Sequence, residues 1–320
     1  MVQADRMTMD KPQILCIVGP TACNKTETAV ALAEHFRGEI VSADSVQVYI
    51  GMDIGSAKPT MEERKGIPHH MIDCVPIDTP DYSVSRYREQ ATGAIAGILS
   101  RGKLPILVGG SGLYVSALTG TLNFAVPGDA AIRAEMERLY DTDPEAALAR
   151  LEAADPSTAK RLHRNDKKRI VRALEVYLCS GKPLSAYGDD FAGASAASPF
   201  DPVILGLDMD RALLNERINR RVDRMMTTGL YQEAENIYHK GYNRRLPAMQ
   251  SIGYKQLFDT MDGNAAIADA VEQIKLDTRH FAKRQRTWFF RDKRTVWLDV
   301  AEYDTALPGI VAAAEERIRI

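Results

Sequence analysis

The chain has 320 residues, 45% of them apolar and 26% charged, with 41 basic and 43 acidic side chains. At roughly 150 residues per domain this predicts two structural units with enough apolar surface to bury a core. It excludes a miniprotein, a collagen-like chain and a disordered one.

Net charge is only −2, but residues 160–172 and 279–294 each carry +6, which leaves −14 for the remainder. Positive charge gathered in this way points to a polyanionic partner. No apolar run approaches the roughly 18 residues of a membrane helix. The opening MVQADRMTMDKPQ lacks the layout of a signal peptide, so the expected location is the cytoplasm, with no membrane partner. Cys16, Cys23, Cys74 and Cys179 form no CxxC pair, which predicts free thiols in a reducing compartment and no structural metal.

In chain order, QILCIVG at 13–19 predicts a short buried strand, and Thr26 to Phe36 carry apolar residues at helical spacing. EIVSAD at 39–44 predicts a second strand ending in a carboxylate, and LPILVGG at 104–110 a third ending in paired glycines. Strands alternating with helices imply a parallel sheet, and ligands of such sheets sit beyond the carboxyl ends of the strands. Gly19, Asp44 and Gly110 all fall at such ends. Residues 128–185 turn helical in period, with Asp-Pro and Gly-Lys-Pro breaks, and 186–202 are rich in Gly, Ala, Ser and Pro like a return linker. VILGLDMD then predicts another core strand, and 211–291 basic and apolar helices. The expected organisation is a core at 1–127 and 201–320 interrupted by an inserted all-helical domain at 128–200.

Gly19, Pro20, Thr21, Ala22, Cys23, Asn24, Lys25 and Thr26 follow a strand and open a helix. They match GxxxxGK[ST] except that Asn24 replaces the second glycine. Such a loop turns backbone N–H groups around phosphate oxygens, with a lysine for charge and a hydroxyl for Mg²⁺. Asparagine is among the few residues other than glycine that tolerate a left-handed backbone. Replacing Asn24 by glycine is therefore expected to leave diphosphate binding at least as strong. Lys25 and the helix end act to lower the pKa of Cys23, though the simpler reading of Cys23 is a small filler. Gly181-Lys182, with Val176 at the leading position and a proline next, reads as a helix stop.

A phosphate loop alone suits kinases, GTPases and ATPases. Five further motifs narrow the choice: Asp44-Ser45-Val46-Gln47-Val48-Tyr49, Gly51 to Pro59 (GMDIGSAKP), Pro68-His69-His70, Gly109-Gly110-Ser111-Gly112-Leu113-Tyr114 and Lys283-Arg284-Gln285-Arg286-Thr287-Trp288. Together, in this order over roughly 13–300, they closely resemble the tRNA dimethylallyltransferase (bacterial tRNA isopentenyltransferase) family. The resemblance implies a P-loop NTPase-like parallel sheet flanked by helices. It also implies transfer of a dimethylallyl group from its diphosphate, with Mg²⁺, to N6 of the adenosine 3′ of the anticodon, tRNA position 37. The donor would lie in a channel through the core, and the inserted helices would grip the anticodon stem-loop. Family members usually carry Gly at position 24 and often Thr at 111. Eukaryotic relatives often add a zinc finger that is absent here, so the bacterial type is the closer match.

An exocyclic adenine amine is a weak nucleophile, so a carboxylate that accepts its proton is useful; Asp44 is the candidate, against the simpler role of capping the next turn. A departing diphosphate gathers negative charge. Lys25, Thr26 as the Mg²⁺ ligand, Ser111 and Arg133 would meet it, Arg133 on the resemblance alone. The base must be flipped out of its stack and its neighbours held by stacking and phosphate contacts. By family position the tRNA-contacting segments are Asp44, Ser45, Val46 and Gln47, then Lys168, Arg169, Ile170, Val171 and Arg172. Gln250, Ser251, Ile252, Gly253, Tyr254 and Lys255 follow, then Lys283, Arg284, Gln285, Arg286, Thr287, Trp288, Phe289 and Phe290. The aromatics of the last segment serve equally well as helix core, and the 167–169 run as a solvated face. Adjacent histidines seldom chelate one ion, so His69 and His70 read as a structural or donor-site feature. A monomer is expected. Two rivals stay open: a P-loop kinase for a nucleoside or small metabolite, and an ATP-gated RNA-binding module.

Overall fold

A computed structural model describes residues 11–120, 126–187 and 198–319. The chain divides into two compact units, Met1–Thr119 with Ser198–Ile320, and Gly120–Ala197. The first holds a six-stranded, wholly parallel sheet.

Its first half runs β1 (Gln13–Val18), α1 (Lys25–Phe36), β2 (Glu39–Ser42), β3 (His69–His70), α2 (Val84–Ser100), β4 (Pro105–Gly109) and α3 (Gly112–Thr119). The second unit follows with α4 (Ala130–Thr142), α5 (Pro144–Ala154), α6 (Pro156–Arg161) and α7 (Lys167–Ser180). The chain then returns through β5 (Asp201–Asp208), α8 (Arg211–Thr227), α9 (Leu230–Tyr238), α10 (Tyr254–Met261), α11 (Ile267–Phe289), β6 (Val296–Asp299) and α12 (Tyr303–Glu315).

Strand order is β3-β2-β4-β1-β5-β6. The central strand β1 is buried on both faces, as parallel sheets covered by helices require. Ile14, Cys16 and Val18 join one core with Tyr87, Ile95 and Leu118, while Leu15 and Ile17 join the other with Val30, Leu32 and Ile310. The histidine pair is a short edge strand pairing with Ile40 and Val41 of β2. The chain leaves β1 to form β2 two places away, beyond β4, and later returns on the other side as β5. The C-terminal ends of β1 and β4 therefore flank the crevice where a doubly wound sheet takes its ligands.

The helical unit has its own core of Met136, Leu151, Ile170, Val171, Ala173 and Leu174. Aspartates cap its helices: Asp129, Asp143, Asp155 and Asp166 each accept a first-turn N–H, a bond typically contributing about 1 kcal/mol. Much of the linker-like stretch at 186–202 lies outside the described residues. Its end does not: Ser198 and Phe200 are buried in the first unit, and Ser198 Oγ donates to the Leu118 carbonyl at 2.9 Å.

Candidate functional site

The loop between β1 and α1 wraps as its motif predicts, with Ala22 and Asn24 in the left-handed region at φ 66° and 52°. Asn24 is the N-cap of α1 yet makes no cap bond with its side chain. Its Nδ2 donates to Glu27 and its Oδ1 accepts from Arg217 Nη1 at 2.9 Å. The first-turn N–H groups of α1 are thus left to an anion. Asn24→Gly keeps the backbone conformation and loses only the side-chain tethers to Glu27 and Arg217. Calorimetry with diphosphate is expected to give an affinity at least that of the native loop; a large loss would make the asparagine side chain itself essential.

Lys25 Nζ donates to the Pro20 carbonyl at 2.6 Å, and burial lowers the ammonium to about 8. A lysine lowered in this way is charged below that pH and neutral above it. Diphosphate affinity is therefore expected to fall as pH rises from 7 to 9, and a Lys25→Arg variant to show no inflection there. Cys23 bears out its simpler reading. Burial outweighs the pull of Lys25 and raises the thiol to about 11, so it is a buried filler and not an activated nucleophile.

Asp44 follows β2. Its Oδ1 accepts from the N–H groups of Val46 at 2.8 Å and Gln47 at 3.3 Å, so the turn-capping role is real, and Oδ2 is not used by this turn. Ser111, after β4, accepts from Ser45 N–H at 2.9 Å and donates to Ser45 Oγ at 3.1 Å, while its own N–H donates to the Ala43 carbonyl. The ends of β2 and β4 are thereby laced together beside the phosphate loop. The carboxylate of Asp44 opposes the lowering of both Lys25 and Arg221, which places all three within electrostatic reach.

Two cations escaped the sequence reading. Arg217 and Arg221 of α8 reach the phosphate loop, Arg217 at Asn24 and Arg221 Nη1 at Thr21 Oγ1, 3.4 Å away. Burial lowers the pKa of Arg221. They stand one residue before Ile218 and Val222 of the buried stripe Leu214, Ile218, Val222. That flanking, four-apart position was the available signal.

Arg133 belongs to the helical unit, where its guanidinium makes a two-pronged contact at 3.0–3.3 Å with the fully buried carboxylate of Glu175. Arg172 shares that carboxylate at 2.8 Å and donates to the Val126 carbonyl.

The expected RNA-contacting segments divide by exposure. Ser45, Lys168, Arg169, Gln250, Lys283, Arg284, Thr287 and Phe290 are exposed. Ile170, Val171, Gly253, Tyr254, Gln285 and Phe289 are buried. Tyr254 donates to Glu233 Oε1, whose carboxylate also takes the N–H groups of Asp53, Ile54 and Gly55. Arg286 pairs with Asp208 at 2.7 Å, and Trp288 Nε1 donates to Ser116 Oγ.

Among the described residues no group of three His, Cys, Asp or Glu could hold a metal. Mg²⁺ suits a different set: it keeps several waters and takes substrate phosphates with one or two protein oxygens. Thr26, in the first turn of α1, is an oxygen donor of that type. No helix among the described residues is long and apolar enough to cross a membrane.

A phosphate loop at the end of β1, a carboxylate at the end of β2 and a hydroxyl after β4 define a P-loop-type α/β protein. A family model described as IPP transferase matches residues 47–293. The chain is 44% identical over 295 residues to the tRNA dimethylallyltransferase of Pelotomaculum thermopropionicum, with 92% of each covered. It is 46% identical over 297 residues to that of Shouchella clausii, covering 92% of this chain and 93% of the relative. Among solved structures it is similar to the tRNA isopentenylpyrophosphate transferase of Bacillus halodurans, with a TM-score of 0.71, 38% identity and 96% and 98% of the two chains covered. A eukaryotic dimethylallyltransferase acting on tRNA gives a TM-score of 0.80 at 29% identity, covering 95% of this chain and 79% of that one. The chain belongs to the IPP transferase family.

Proposed function

We propose that the chain transfers a dimethylallyl group from dimethylallyl diphosphate to N6 of the adenosine immediately 3′ of a tRNA anticodon. The observation that carries this reading is that Lys25 and Arg221 bond to the phosphate loop after β1 while Asp44 closes the turn after β2, so that cations for a departing diphosphate and a carboxylate able to take a proton lie within electrostatic reach. The names and acceptors of the relatives support the choice of tRNA.

The adenine amine attacks the allylic carbon. A carbon–nitrogen bond forms, the carbon–oxygen bond to the diphosphate breaks, and the amine proton passes to Asp44 Oδ2. Lys25, Arg221 and the N–H groups of the loop hold the charge that develops on the diphosphate. Mg²⁺, held through Thr26, would supply further charge neutralisation. Ser111 fixes the Asp44 turn through Ser45. Arg133, held straight by Glu175, is assigned to the diphosphate on family resemblance.

The exposed cations Lys283 and Arg284, with Lys168 and Arg169 of the helical unit, take the RNA phosphates. Flipping of the base follows from the need to bring a stacked adenine to a half-buried carboxylate at a strand end. Incubation with labelled dimethylallyl diphosphate and tRNA tests the reading: label is expected on tRNA. Label appearing only on a nucleoside or metabolite from ATP would replace it with a kinase. In filter binding of tRNA over a salt series, Lys283→Ala with Arg284→Ala is expected to weaken tRNA binding and to reduce the slope of log K against log salt by about 2.

A further inference from the structure

Two of the sequence motifs meet through a single carboxamide. Gln285 of α11 is only 5% exposed, although it sits in a basic segment whose pattern suggests RNA contact. Its Oε1 accepts the N–H of Thr21 in the phosphate loop at 2.9 Å, and its Nε2 donates to the carbonyl of Gly110 at 2.9 Å. These partners fix the orientation of the amide. Two glycines of the Gly109–Gly112 motif are shaped by the same helix. A Cβ on Gly110 would lie 2.0 Å from Gln285 Nε2, and one on Gly112 would lie 2.4 Å from the Trp288 ring.

A polar side chain in the buried stripe Ile274, Ala282, Gln285, Phe289 weakens packing unless both its ends are satisfied. Here both ends are satisfied, one by each of the two loops that flank the crevice.

We propose that Gln285 is a positioning residue for diphosphate binding, holding the phosphate loop and the Ser111 loop in register, and that it makes no contact with RNA. This deepens the transferase reading and rests on it for the identity of the donor. Without the carboxamide, the Thr21 N–H and the Gly110 carbonyl lose their partner and the two loops are free to shift independently. The geometry that phosphate binding needs is then no longer set in advance.

The test compares Gln285→Met and Gln285→Glu with the native chain in binding of inorganic diphosphate, by calorimetry from pH 5 to 7.5, and in tRNA affinity. Gln285→Met can make neither bond and is expected to bind diphosphate about tenfold more weakly at every pH. Gln285→Glu still accepts from Thr21 when ionised but repels the Gly110 carbonyl. It is expected to bind weakly at pH 7.5 and to approach the native affinity at pH 5, where the protonated carboxyl again accepts from Thr21 and donates to Gly110. Facing a carbonyl raises the pKa of such a carboxyl, which brings the recovery within the measured range. tRNA affinity is expected to stay within about twofold in both variants.

Native diphosphate affinity in both variants would overturn the proposal. So would weakening in Gln285→Glu alone, which is a through-space charge effect, or a loss confined to tRNA affinity, which is an RNA contact. Should Gln285→Met prove unfolded by thermal melting, the pH dependence of Gln285→Glu together with its tRNA affinity decides the matter. The binding ratios do not depend on the transferase reading, whose failure appears separately as a native chain that puts no label on tRNA.

Discussion

Asp44→Asn is expected to lower turnover about 10²–10⁴-fold, the usual worth of a positioned general base, while tRNA affinity stays within about twofold. The choice of asparagine follows from the two uses of the carboxylate. Its Oδ1 closes the turn to Val46 and Gln47, and an amide oxygen accepts those N–H groups equally well. What asparagine cannot do is take a proton. A loss in Asp44→Asn therefore reports chemistry, whereas Asp44→Ala, expected to abolish turnover, removes turn and base together. Single-turnover transfer with saturating donor and tRNA is the measurement, and near-native rates in Asp44→Asn would take Asp44 out of the mechanism.

The second large effect is expected at Arg221. Its guanidinium touches Thr21, and burial works against its charge, so it is a cation held at a cost beside the phosphate loop. Arg221→Ala is expected to reduce kcat/KM for the donor about 10²–10³-fold, again with tRNA affinity unchanged. Arg221→Lys is expected to recover only part of this, because a point charge cannot reproduce the planar fork. Donor kcat/KM at saturating tRNA, with filter binding of tRNA alongside, separates the two readouts. A native kcat/KM in Arg221→Ala would mean that Lys25 and the loop N–H groups suffice.

The residues that the sequence places correctly are those whose position follows from local spacing. Gly19 to Thr26 are read from one string between a strand and a helix, and the rule that ligands sit at strand ends brings Asp44 and Gly110 to the same crevice before any coordinates are seen. Arg217 and Arg221 were missed because α8 carries five arginines, and a basic amphipathic helix reads as a solvated face. Only tertiary packing turns two of them toward the loop. Gln285 falls in a segment expected by family position to contact RNA, with cations and aromatics on either side of it. The finer signal was that it falls in step with Ala282 and Phe289, on the stripe where a polar residue calls for a buried partner. Arg133 illustrates the limit of resemblance: the motif position is legible, but its pairing with Glu175, 42 residues along the chain, is a long-range contact without local trace.

All six strands lie in one unit, and the helical unit leaves it after Thr119 and rejoins it at Ser198. The Ser198–Leu118 hydrogen bond, with Arg294 donating to the Thr119 carbonyl at 3.0 Å, staples the two points of departure together. A chain whose exit and re-entry are already tied can host at that point a larger, smaller or different graft with little strain. The sheet unit can thus stay unaltered while the inserted helical module is exchanged.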